Sequence, residues 1–136
     1  MKNQMLLGTP TSPRFAFCPT TVLAGDPVLL GGIPAVALDN YQANEGGTTF
    51  YANGTFALTV IGRSTESPVV TAAIKPGDKI YAVGTLDATT NVTTGLTLDA
   101  NSATGTLFGR LDPQYQATVS AGATDTGAWV RIGEGL

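Results

Sequence analysis

From Val22 onward the chain alternates short runs of strand-forming residues with turn chemistry, and this pattern decides the fold class. Residues 28–30 are followed by Gly31-Gly32, residues 33–38 lead to Glu45-Gly46-Gly47, and residues 49–52 lead to Asn53-Gly54 and then 55–61. The same rhythm continues to residues 129–132. β-branched and aromatic residues between Gly, Pro, Asn and Asp clusters read as strands separated by tight turns. No window of about a dozen residues carries apolar positions three and four apart without an intervening Gly or Pro. Little helix is expected; residues 65–73 and 111–123 leave room for one turn or a short helix.

Several positions are assigned by this pattern. Asn53-Gly54 accepts the positive φ of a primed turn, so a hairpin is expected there. Phe56, Leu58 and Val60 alternate after it and therefore share an inward face. Val28, Val36, Leu38, Ile80, Leu107, Leu111, Val130 and Ile132 are the other expected core residues. An internal echo is visible: Gly25-Asp26-Pro27-Val28 and Gly77-Asp78-Lys79-Ile80 each open a strand, and each half later carries an apolar strand ending in Leu-Asp, at Leu38-Asp39 and Leu111-Asp112. Two copies do not make a solenoid. They suggest a pseudo-repeated β-domain in which Gly25, Asp26, Gly77 and Asp78 are structural turn residues, each Asp bonding nearby backbone N–H groups.

The expected fold is therefore all-β: a small barrel or sandwich-like domain of short antiparallel strands. The 136 residues suit one domain. Residues 1–21, with Pro10, Pro13 and Pro19 and no alternation, read as an extended N-terminal arm, and 22–136 as the β-rich domain. Leu6, Leu7, Phe15 and Phe17 give the arm apolar groups to bury on a partner, or as a strand against its own domain.

Composition limits function. Only 12% of residues are charged, the formal net charge is −3, and the seven Lys and Arg fall singly along the sequence from Lys2 to Arg131. No basic stripe is expected from that spacing, so direct nucleic-acid binding is not expected. The apolar stretches are too short and too interrupted for a membrane span or a secretion signal, which predicts a soluble product made in the cytoplasm. The lone Cys18 cannot form an internal disulfide.

There is no His, which removes the Ser/His and Cys/His arrangements and the commonest metal ligand. Phosphate-binding, nucleophile-elbow and dinucleotide signatures are missing as well. Carboxylate pairs such as Asp78 with Asp87, or Asp39 with Glu45, stand in turn-like contexts. Asp99, Asn101 and Ser102 near Asp87 fall short of a calcium loop. No catalytic residue, metal or cofactor is expected. Trp129, Tyr41, Tyr51, Tyr81 and Tyr115 could line a sugar platform, though packing is the simpler use.

Four ordered segments carry a resemblance. They are Ala24-Gly25-Asp26-Pro27-Val28-Leu29-Leu30-Gly31-Gly32 with Ala35-Val36-Ala37-Leu38; Lys75-Pro76-Gly77-Asp78-Lys79-Ile80-Tyr81; Leu107-Phe108-Gly109-Arg110-Leu111-Asp112; and Trp129-Val130-Arg131-Ile132. In this order, over roughly residues 22 to 133, the chain resembles the phage cement or head-decoration family of small capsid proteins. The resemblance implies a structural virion protein on the outer surface of the expanded capsid. It also implies trimers at local three-fold positions, with the major capsid protein and its own copies as partners. On that reading Arg14, Phe15 and Phe17 of the arm are expected to contact coat protein. The alternative expectation is a carbohydrate- or host-surface-binding β-module displayed on a particle.

Overall fold

The computed structural model describes residues 6–7, 13–66 and 69–133, and among these there is no helix. The strands are β1 (Leu6–Leu7), β2 (Arg14–Phe17), β3 (Pro27–Leu30), β4 (Ile33–Ala37), β5 (Gly47–Tyr51) and β6 (Gly54–Ile61). They continue with β7 (Arg63–Glu66), β8 (Val69–Thr71), β9 (Lys79–Asp87), β10 (Val92–Asp99), β11 (Thr106–Leu111) and β12 (Thr124–Ile132). β7 and β8 form a separate ribbon; the other ten make one sheet in the order β1-β6-β12-β11-β9-β10-β3-β4-β5-β2. Every pairing in both sheets is antiparallel. The fold is all-β, as the alternation of strand runs and turns requires.

The sheet curls strongly. β10 touches β6 although they stand four positions apart in the order, a separation of roughly 19 Å if the sheet were flat. Bulges supply the bend: the register slips between Thr94 and Thr97 in β10, between Leu107 and Gly109 in β11, and between Asp125 and Ala128 in β12. Each extra residue increases the local twist. The two ends of the order do not pair with each other, so the result is sandwich-like rather than a closed barrel.

Curling creates two cores on opposite faces of a shared wall. The larger contains Phe56, Leu58, Val60, Ile74, Ile80, Leu98, Phe108, Leu111, Val130 and Ile132 among others. The smaller contains Cys18, Val22, Val28, Ala35, Ala37, Phe50 and Val92. β3 and β4 are the wall: Leu29 and Val36 point into the large core, Val28, Ala35 and Ala37 into the small one. A strand buried on both faces cannot show polar alternation, which is why this segment reads as an unbroken apolar run.

Two core expectations are corrected. Leu107 is exposed, and Phe108 takes the inward place. Strict alternation back from Leu111 points Leu107 inward; the bulge between Leu107 and Gly109 turns it to the other face. Leu38 is only half-buried because β4 ends at Ala37, one residue before it. Val28, Val36, Phe56, Leu58, Val60, Ile80, Leu111, Val130 and Ile132 are all buried.

Asn53-Gly54 does not make the expected hairpin. β5 pairs with β4 and β2, and β6 with β1 and β12, so the two strands flanking the pair share no ladder. Gly54 has positive φ but Asn53 does not, whereas a type I′ turn needs both. The pair is a corner that moves the chain between distant positions in the sheet, with Tyr51 stacked on Phe56 across it at 6.1 Å. Residues 65–66 and 69–71, where a short helix had room, are strand.

The internal echo extends to the hydrogen bonds. At the first copy, Leu23 N–H donates to the Asp26 carboxylate and Asp26 N–H to the Leu23 carbonyl. At the second, Lys75 N–H donates to the Asp78 carboxylate and Asp78 N–H to the Lys75 carbonyl. Gly25 and Gly77 occupy the third turn position with φ of 88° and 91°, a conformation that favours glycine. Each turn then clips the partner strand twice: Gly25 and Asp26 bond to Ala37, Gly77 and Asp78 to Leu111. The Leu-Asp pairs therefore match with an offset of one residue, Ala37 standing where Leu111 does.

Candidate functional site

The described surface carries two features that internal packing does not explain. The first is β2. It is the last strand of the sheet, hydrogen-bonded to β5 in the register Arg14 opposite Phe50 and Phe17 opposite Gly47. Its outer edge carries no further strand among the described residues, and an open edge offers N–H and C=O groups for pairing. Alternation puts Ala16 against the small core and leaves Phe15 and Phe17 on the other face. Those rings meet edge to face at 5.4 Å and remain 46% and 64% exposed. Both phenylalanines of one four-residue strand facing solvent is an unusual use of apolar area.

The pairing of β2 is sterically set by its neighbour. A Cβ at Gly47 would lie 2.0 Å from the Ala16 carbonyl oxygen, so only glycine lets β2 approach. Cys18 follows directly, with its N–H donating to the Gly46 carbonyl. It is buried in the small core, and burial pushes its thiol above the ordinary range. Within the segment expected as an arm, then, residues 14–17 pair into the main sheet and Cys18 packs in the small core. Residues 1–5 and 8–12 lie outside the described residues. A shallow groove of about 280 Å³ opens beside this edge, lined by Ala16, Phe17, Leu30, Gly31, Asn91 and Val92.

The second feature corrects the expectation that the cations are dispersed. Lys79 of β9 stands directly opposite Arg110 of β11, and Arg110 directly opposite Arg131 of β12. Directly opposed residues share a face. Ile80, Leu111, Val130 and Ile132 point into the core, so the three cations point outward in one row. The Arg131 guanidinium donates to the buried Asp112 carboxylate at 3.1 Å, and Arg110 to the Gly77 carbonyl at 2.9 Å. Lys79 is exposed and its side chain has no polar partner among the described residues. The same outward face carries half-buried Tyr81 and Trp129 and the exposed Leu107 opposite Tyr81. The signal lay in the sequence as a cation before a core residue in three strands, Lys79-Ile80, Arg110-Leu111 and Arg131-Ile132. Only the register brings the three together.

The carboxylates serve the backbone. Asp78 and Asp87 stand at opposite ends of β9, roughly 30 Å apart at a strand's rise per residue, so they cannot act as a catalytic pair. Asp87 accepts from the Thr90 hydroxyl and backbone, which holds its carboxyl below the ordinary range. Asp99 pairs with Arg63 at 2.8 Å and caps Asn101. Asp112 accepts from the N–H groups of Gln114 and Tyr115. No group of three or more His, Cys, Asp or Glu among the described residues is arranged to hold a metal ion. Of the aromatic residues considered as a platform, Tyr41 packs on the small core and Tyr51 on the large one.

A family model described as phage cement protein matches residues 14–113. The match begins at the first residue of β2 and includes β3 to β11. No curated protein and no solved structure matches the chain.

Proposed function

Because this chain belongs to the phage cement protein family and so has a capsid-associated structural role, we propose that it binds the outer surface of the expanded capsid, as trimers at local three-fold positions, and stabilises the head. The observation that supports an attachment role is the edge strand β2, with Phe15 and Phe17 exposed and no further strand on its outer side among the described residues. Arg14, Phe15 and Phe17 contact coat protein in this reading, the rings burying apolar area and the edge supplying main-chain hydrogen bonds. The major capsid protein is the principal partner, and the protein joins the virion after synthesis in the host cytoplasm.

Stabilisation needs no chemistry. A protein that binds only the expanded lattice stabilises it by mass action, by roughly 2.7 kcal/mol per site when free protein is 100 times its dissociation constant. Trimerisation lets three modest footprints act together. The test is to mix the protein with expanded heads that lack it, and to image them by cryo-electron microscopy. Density centred on three-fold positions, with heads that survive heating better than bare ones, supports the proposal. Bare heads at saturating protein overturn it.

A further inference from the structure

The row of Lys79, Arg110 and Arg131 is costly as it stands. Like charges placed directly opposite on neighbouring strands repel and destabilise the pairing. Here two such pairs are stacked across three strands. The neighbouring carboxylates discharge only one end of the row: buried Asp112 pairs with Arg131 and otherwise accepts the Gln114 and Tyr115 N–H groups, and the Asp78 carboxylate is held in its turn by the Lys75 N–H. The row spans about 10 Å at the Cα spacing of antiparallel partners. Beside it lie Leu107, Tyr81 and Trp129, and arginine with tyrosine and tryptophan is the composition enriched where proteins bury one another.

We propose that this outward face of β9, β11 and β12 is a second docking surface, and that its occupant is a carboxylate-bearing protein surface on the capsid lattice. The proposal rests on the capsid-binding reading above and adds a contact distinct from β2. Charge complementarity selects the partner. The three cations concentrate positive charge in a chain whose formal net charge is −3. With Arg131 already paired to Asp112, a short row of this kind answers one or two carboxylates, whereas a nucleic acid presents a continuous phosphate track that the rest of the molecule repels. Arginine held by one bond, as Arg110 is by Gly77, keeps its remaining N–H donors oriented for a bidentate carboxylate contact. Such contacts steer encounter and weaken with salt.

Lys79→Glu is the informative variant because Lys79 is exposed and its side chain has no polar partner among the described residues, so the fold is expected to stay intact. Arg110→Gln is the second, with its melting temperature compared to wild type to separate binding from folding. Binding to expanded heads is measured by co-sedimentation at about 50 and 500 mM salt. The inference expects wild-type binding to weaken several-fold between the two salts, and Lys79→Glu to lose at least tenfold at low salt and nearly all of its salt dependence. Wild type that binds without salt dependence, with Lys79→Glu matching it, overturns the second surface and leaves capsid binding standing. Wild type that fails to bind heads at either salt overturns the capsid reading itself. Lys79→Glu that binds heads normally but loses self-association by solution mass, or loses retention on duplex DNA, assigns the row to a second copy or to nucleic acid and overturns the inference.

Discussion

The two cores differ in how they are enclosed. The large one is wrapped by β6, β12, β11, β9 and β10, whose long strands bulge to bring the curled sheet round it. The small one lies on the other face of β3 and β4, and its cover includes β5, the edge strand β2 and the turn containing Val22. Enclosure from several sides makes a unit that opens only when the domain unfolds. A core closed partly by an edge strand opens locally, at a lower free energy. The surface with exposed phenylalanines sits on that less enclosed side, which is where a segment that adjusts to a partner belongs.

The largest expected effect tests the first half of this contrast. Phe108 is fully buried in the large core, and Phe108→Ala is expected to destabilise the whole domain by about 3–5 kcal/mol in urea unfolding. Phe50→Ala in the small core removes the same ring, and should increase amide exchange in β2 more than in β12. Equal increases in both strands would abolish the distinction between the cores.

Gly47→Ala sharpens the role of the edge. The added methyl group collides with the Ala16 carbonyl, and is expected to cost about 1–3 kcal/mol, the usual range for overpacking. The loss should be confined to β2, read as faster exchange of the Cys18 amide with the large core still protected, and should weaken head binding together with it.

The paired turns offer a finer comparison, since Asp26 begins the wall and Asp78 begins β9. Asp26→Ala and Asp78→Ala each remove one carboxylate-to-backbone bond of nearly equal length, 3.0 and 2.9 Å. Each should cost about 1 kcal/mol. A markedly larger loss at Asp78, measured by thermal unfolding, would show that the repeat in geometry is not a repeat in energy.

The smallest effects are those of pH. The Cys18 thiol is held above its ordinary range by burial, so above that range the unfolded chain has lost a proton that the folded chain keeps. Stability therefore falls as pH rises there, and Cys18→Ala should flatten that decline. Asp87 behaves oppositely. Its carboxyl is lowered by Thr90, so its contribution is present above the ordinary carboxylate range and lost as pH falls through the lowered value. Thr90→Ala should return the Asp87 titration, followed by NMR, toward the ordinary range.

Much of the fold was legible because strand propensity and turn chemistry are local. Gly25-Asp26 and Gly77-Asp78 announced their turns, and Phe56, Leu58 and Val60 announced an inward face, since alternation within one uninterrupted strand needs no knowledge of its neighbours. Leu107 misled because a bulge is a property of two strands together, and Asn53-Gly54 misled because a turn pair says where the chain bends but not which strands then meet. The exposed row of Lys79, Arg110 and Arg131 was hidden for the same reason: residues far apart in sequence became neighbours only through register.

By itself the sequence determined an all-β chain, the positions of its turns, the residue types of its core and its membership of a structural capsid family, because each of these rests on short-range periodicity or on motifs in order. Tertiary structure alone decided that the sheet curls around two cores, that β2 closes the smaller one with both phenylalanines outward, and that cations from three strands share one face. These are outcomes of pairing, and pairing is set by how bulges, buried wall strands and close glycine contacts fit together in three dimensions.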